Sequence, residues 1–146
     1  KDKKQMALLR QVGRVHHEGR PDIFRSNAQK YGASQVLHML NSSATPIFVA
    51  VEGDKVLGYG FCFVKTYEND PVMTDRTELY IDDLCVDAAC RGQHIGKQLY
   101  EAVLAFARKS GCYNVTLNVW SLNEGAMKFY ESCGLKPQKI GMETIL

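Results

Sequence analysis

The run Leu84-Cys85-Val86-Asp87-Ala88-Ala89-Cys90-Arg91-Gly92-Gln93-His94-Ile95-Gly96-Lys97 combines residue types suited to one task, holding a phosphate. Gly92 and Gly96 let the backbone approach a ligand closely, and the first N–H groups of a helix starting here have no intrahelical partner. That helix end carries about half a positive charge. Arg91 and Lys97 add two full charges, so the junction suits a phosphate or pyrophosphate. Neither the G-x-x-x-x-G-K-[ST] spacing of a Walker loop nor a G-x-G-x-x-G fingerprint is present. The plain alternative is an ordinary helix start with surface cations.

Cysteine chemistry is less promising. Cys62, Cys85, Cys90, Cys112 and Cys133 are odd in number and form no C-x-x-C pair, so neither a disulfide framework nor a zinc site is expected. No metal is called for. Trp120, the one tryptophan, ends a strand-like run and reads as a core anchor rather than a substrate platform.

The elements that must position these groups follow from hydrophobic period. Asp2 caps a helix with Leu8, Val12 and Val15 on one face, stopped by Gly19 and Pro21; Val36, Leu37 and Leu40 predict a short second helix closed by Asn41-Ser42-Ser43. Ile47–Val51 and Val56–Val64 are β-branched and aromatic and meet across Gly53-Asp54, which predicts a hairpin. After a polar loop from Glu68 to Asp75, Leu79–Val86 forms another strand. Ile95, Leu99, Val103 and Phe106 then trace a helix ended by Ser110-Gly111. Val115, Leu117 and Val119 alternate as a strand, and Asn123 caps a helix carrying Ala126, Tyr130 and Cys133, stopped by Gly134 and Pro137. Residues 135–146 predict a final short strand or hairpin. The strand, helix, strand unit implies a parallel pair, hence a mixed α/β sheet flanked by helices, in a single domain over 1–146.

Composition removes other classes. A chain of 146 residues with 45% hydrophobic and 23% charged residues buries a core and is neither disordered nor fibrous. A formal net charge of +2 is too small to imply nucleic acid or an anionic membrane as partner. The nine-residue run Val56–Val64 is far short of the ~20 residues of a membrane helix. With no signal peptide visible and its cysteines unpaired, the chain reads as cytoplasmic.

From about Glu78 to Pro137 the chain resembles the GNAT superfamily of acyl-CoA-dependent N-acyltransferases. Leu84-Cys85-Val86 followed by Arg91-Gly92-Gln93-His94-Ile95-Gly96 is similar to the family's L-x-V strand and [QR]-x-x-G-x-[GA] loop. Asn123-Glu124-Gly125-Ala126-Met127-Lys128-Phe129-Tyr130 is similar to its N-x-x-A-x-x-[FL]-Y. Two departures stand out. The family opens with a strand where this chain opens with a helix, so the first family strand, not seen in this chain, is either trimmed away or lies upstream of it, and an exposed sheet edge is expected. His94 occupies a position where the family pattern has glycine.

The resemblance implies that the backbone of Leu84, Cys85 and Val86 takes the pantetheine arm as an added strand, and that the amides from Arg91 to Lys97, through Gly92, Gln93, His94, Ile95 and Gly96, cradle the pyrophosphate. Asn123, with Ala126 in the same motif, matches a contact near the cofactor's reactive end, and Tyr130 matches the general acid. An alkyl amine of pKa about 10.4 is neutral in about one molecule in 10³ at pH 7, so the acceptor needs a base. Asp82 ranks first, Glu78 second, and Asp83 reads as structural; a bulge in this strand would shift the phase, so alternation alone does not choose. His16 and His17, adjacent and therefore about 100° apart, make a poor metal pair and read as solvent-facing or capping, with acceptor contact as the alternative. Glu68, Asp70, Asp75, Glu78 and Asp82 offer attraction to a cationic amine, with a merely solvated loop as the plain alternative.

The implied activity is transfer of an acetyl group from acetyl-CoA, the acyl-donor substrate, directly to a primary amine of a small molecule or peptide. No cysteine has a neighbouring base that would favour an acyl-enzyme. The alternative is a non-catalytic acyl-CoA-binding or regulatory module on the same fold. A homodimer is compatible with either.

Overall fold

The structure is a computed structural model and describes residues 20, 22, 23, 25 and 31–146. The expected first helix over Asp2–Gly19, with His16 and His17, lies outside the described residues. Helix α1 spans Ala33–Leu40. The Gly32 N–H donates to Gln35 Oε1 at 2.9 Å, and Asn41 Nδ2 donates to the Leu37 carbonyl at 3.1 Å, so both helix ends are satisfied locally.

Strands β1 (Ile47–Glu52) and β2 (Lys55–Tyr67) form the expected hairpin. Gly53, the first of its two turn residues, has φ +59°, as a type II′ turn requires. β3 (Arg76–Val86) pairs antiparallel with β2, and β4 (Asn114–Leu117) pairs parallel with β3, giving the order β1-β2-β3-β4. Helix α2 (Ile95–Lys109) crosses between β3 and β4, and α3 (Glu124–Ser132) follows β4. Among the described residues no helix is long and apolar enough to cross a membrane.

α2 buries Ile95, Leu99, Tyr100, Val103 and Ala107 against one face of the sheet. Leu79, Ile81 and Cys62 meet the later turns of that stripe, while Leu57, Leu84 and Val86 meet its beginning. On the opposite face Tyr31 and Met39 pack with Tyr59, Phe61 and Cys85. Packing is close enough at Gly58 to exclude a side chain. A Cβ there would lie 2.7 Å from the Cys85 carbonyl oxygen and 3.1 Å from Leu99 Cδ1.

Two expectations are corrected. The last strand stops at Leu117 and leaves Val119 outside, because its pairing with β3 ends at Ile81↔Leu117. Residues 135–146 form neither strand nor hairpin. Among the described residues no strand pairs with them, and Glu143 is spent on a side-chain ion pair with Arg20, N···O 2.6 Å.

Gly58→Ala is expected to destabilise the fold by about 1–3 kcal/mol, as overpacking does. Thermal melts should show a Tm several degrees lower, whereas Gly60→Ala, whose Cβ would have 3.8 Å of room, should change Tm far less. Equal melting of both variants would contradict the close approach.

Candidate active site

The site begins with a break in register. Phe61 pairs with Asp83 and the next residue, Cys62, pairs with Ile81, so Asp82 is an extra residue on β3, a β-bulge. Strict alternation would put Asp83 with Leu79 and Ile81; instead the bulge turns Leu84 and Val86 to the α2 face and Cys85 to the other. Pairing with β4 ends at the residue before the bulge. From Asp83 to Val86 β3 stays paired to β2, while on its β4 side no strand follows among the described residues. One side of this backbone is therefore placed to bond an extended ligand as a strand would.

The chain then passes into a 3₁₀ turn, Ala88–Cys90, capped by Asp87 Oδ1 accepting from the Ala89 N–H at 3.1 Å. Cys90 is buried against Ile95 and Leu99 and fixes the loop to α2. Arg91, Gly92, Gln93 and His94 are all exposed. Gly92 has φ +86° and His94 has φ +59°, a left-handed conformation uncommon for a residue with a side chain. The first intrahelical bond of α2 is Gln98 N–H to the His94 carbonyl, so the amides of Ile95, Gly96 and Lys97 point out of the helix start.

α3 is held against this start. Asn123 caps it, its Oδ1 accepting from the Ala126 N–H at 3.2 Å, and a Cβ on Gly96 would lie 3.2 Å from Phe129 Cζ. Glycine at 96 thus lets Phe129 of α3 approach the start of α2. Tyr130 is half-buried; burial, then the charge of Asp83 and the nearby Cys133, Cys62 and Cys85, raise its phenol pKa well above the ordinary value. The structure therefore brings Tyr130 within electrostatic reach of Asp83, the carboxylate ranked last from sequence. Asp82 sits half-buried on the bulge itself.

Glu78 lies further back and is buried. Tyr67 donates to its Oε1 at 2.6 Å and Thr116 donates to its Oε2. Burial pushes its pKa up, but these two bonds, helped by the charges of Lys65 and Arg76, outweigh burial and hold it below the ordinary value. The thiols move the other way. Burial pushes Cys62 up to about 12, and burial followed by the charge of Asp83 pushes Cys85 up to about 11.

The acidic loop is self-engaged. Asp70 Oδ1 accepts from the Val72 and Met73 N–H groups, each at 2.8 Å, and Asp75 Oδ1 accepts from the Asn69 N–H at 3.1 Å. Among the described residues no group of three or more His, Cys, Asp or Glu side chains is arranged to hold a metal ion.

A second feature was not singled out from sequence. Arg20, Asp22, Trp120, Ser121, Leu122, Glu143 and Ile145 line an open cleft of about 400 Å³. Arg20 makes a two-pronged pair with Asp22, at 3.0 and 2.8 Å, and a further pair with Glu143. Trp120 lines this cleft and is 41% exposed, so it is not the core anchor expected; β4 ends at Leu117, before it. Arg20 and Glu143 lie at opposite ends of the chain, and no local pattern announces their meeting.

Comparison with known proteins agrees with this architecture. Residues 14–135 match the acetyltransferase (GNAT) family. The chain belongs to that family. A crystal structure of a single-site mutant of the BH1408 protein from Bacillus halodurans is 31% identical, with a TM-score of 0.94 over 99% of this chain and 93% of that one. The mouse thialysine N-epsilon-acetyltransferase is 26% identical over 133 residues, covering 88% of this chain and 75% of the relative. The probable N-acetyltransferase camello of Xenopus laevis is 33% identical over 76 residues, 52% of this chain; the match spans 35% of that relative's length. The α/β fold of this GNAT chain is a mixed sheet with helices on both faces.

The pairing around Glu78 predicts a pH signature. A carboxyl depressed below its ordinary value of 4.5 stabilises the fold above that pH, and the contribution is lost as pH falls through the lower folded value. Glu78→Gln should therefore cost about 1–3 kcal/mol at neutral pH, and the gap in Tm from the parent should narrow on acidification below about pH 4.5. A gap that stays constant down to about pH 3 would contradict the ionised, hydrogen-bonded state.

Proposed function

We propose that the chain is an acetyl-CoA-dependent N-acetyltransferase acting on a primary amine by direct transfer. The observation that carries this reading is the half-open β3 edge, with outward-facing amides at one end and Tyr130 at its side. The residues fit the donor: the backbone of Leu84, Cys85 and Val86 would take the pantetheine arm, and the amides from Arg91 to Lys97, with two cationic side chains, would take the pyrophosphate. Asn123 and Ala126 would border the thioester end. Acetyl-CoA supplies an acetyl group on sulfur, and transfer exchanges its carbon–sulfur bond for a carbon–nitrogen bond.

The chain's own groups move the protons. Asp82, at the bulge, takes the proton that the amine must lose, directly or through water, with Glu78 as the second candidate. Tyr130, kept protonated by its raised pKa, gives its proton to the departing thiolate, whose conjugate acid has a pKa near 8.5. An acyl-cysteine route is disfavoured, since a thiol raised to about 11, as at Cys85, is ionised in only about one molecule in 10⁴ at neutral pH. The mouse relative's acceptor, by its name a thialysine side-chain amine, supports an aliphatic amine as acceptor here.

Tyr130→Phe keeps the ring and removes the proton. With acetyl-CoA and a panel of amines, kcat should fall roughly 10²-fold or more while acetyl-CoA affinity changes little. Asp82→Asn should lower kcat/KM and flatten the acidic limb of its pH profile. Full kcat in Tyr130→Phe with chemistry limiting would assign the tyrosine to packing, and donor binding without turnover of any amine would favour the non-catalytic module.

A further inference from the structure

The cleft around Trp120 lies outside the donor edge, and its charges have a sign. Arg20 stands between two carboxylates, Asp22 at 2.8 Å and Glu143 at 2.6 Å, so one guanidinium against two carboxylates leaves a negative charge in excess. The Asp22 and Glu143 side chains are 51% and 57% exposed, open to a ligand as well as to solvent. Hydrogen bonds from Arg20 hold the Asp22 carboxyl below its ordinary pKa, which keeps it charged at neutral pH. Such a cleft repels a carboxylate or phosphate and attracts a cation.

Its walls are apolar and aromatic. The Trp120 indole is partly exposed, and Leu122 and Ile145, which line the same cleft, are largely exposed. Apolar walls suit a chain of methylenes, and an indole face suits an ammonium or guanidinium. The protein already places one cation in this way: the guanidinium carbon of Arg20 lies 5.8 Å from the Trp120 ring centre, at the outer limit of such contacts. A ligand cation would meet the same ring and the same carboxylates.

The cleft also adjoins the proposed reaction. The Asn123 N–H donates to the Trp120 carbonyl at 2.9 Å, closing a four-residue turn whose ends lie within about 7 Å of each other. Asn123 is the residue proposed to border the thioester, so Ser121 and Leu122 carry the cleft towards the acetyl end of the donor. The acidic loop has no comparable arrangement, because Asp70 and Asp75 are turned to their own loop amides. We infer that this cleft holds the far end of the acceptor, and that the acceptor is an aliphatic amine carrying a second cationic group, of the diamine class. The inference rests on the acetyl-transfer reading, since it sets one amine at the thioester and the other at Trp120.

Trp120 is the only tryptophan of the chain, so its fluorescence reports on the cleft independently of turnover. Putrescine and cadaverine, titrated at constant ionic strength with CoA present, should change that fluorescence saturably, whereas butylamine and pentylamine should not. In the Asp22→Asn, Glu143→Gln double variant the diamine Kd should rise roughly tenfold or more. With acetyl-CoA as donor, kcat/KM for each diamine should exceed that of the monoamine of equal chain length by about tenfold. Equal kcat/KM for diamine and monoamine, or a fluorescence response indifferent to the second amine or to the two carboxylates, would overturn the inference and leave acetyl transfer standing. A diamine-selective response with no turnover of any amine would support cation recognition at the cleft and contradict acetyl transfer instead.

Discussion

Everything that positions the candidate chemistry depends on the extra residue in β3. Asp82 falls one residue beyond the last β3–β4 pair, so the bulge and the parting of the two strands coincide. Had β3 run on in register, β4 could have continued alongside it to Val86, and the backbone proposed to receive the donor would be filled by the protein's own ladder. The bulge also resets the phase, which lets Leu84 and Val86 keep packing on α2 while Asp83 turns to the same face as Cys85. One inserted residue therefore opens an edge, preserves the core beneath it, and turns Asp83 to a face from which its charge reaches Tyr130.

Electrostatics then divides the polar groups into those that stay charged and those that stay neutral. Glu78 and Asp83 are both 7% exposed, a costly place for a charge unless it is compensated. For Glu78 the compensation is visible in Tyr67 and Thr116, with Lys65 and Arg76 beyond. The same burial, with Asp83 adding its charge at Cys85 and Tyr130, keeps those two groups protonated. A phenol and a thiol kept neutral in this way suit the direct transfer proposed above. At the other end of the opening the signs reverse, because exposed amides and cations at the start of α2 favour an anion.

Most elements were legible because their signals are local. The Gly53-Asp54 turn, the stripe from Ile95 to Phe106 and the Asn123 cap each declare themselves within a few residues, and the structure has all three. The positive φ of His94 sits where the glycine-like site was expected. The bulge was legible only as a question, since its position is decided by Phe61 and Cys62 on another strand. The end of β4 before Val119 follows from that same event. Residues 135–146 have the pattern of a strand, but a strand exists only with a neighbour, and the neighbour is not a property of the segment. Trp120 was misjudged for a related reason: which layer covers a side chain depends on where the strands stop.

The central claim is that β3 beyond the bulge, with the loop into α2, forms one docking edge for acetyl-CoA. Amide hydrogen exchange with and without saturating acetyl-CoA tests it most directly. Exchange should slow by about tenfold or more in the segments 83–87 and 91–97, as new hydrogen bonds would cause, and stay unchanged in β1. Protection confined to other segments, with binding confirmed by calorimetry, would contradict it.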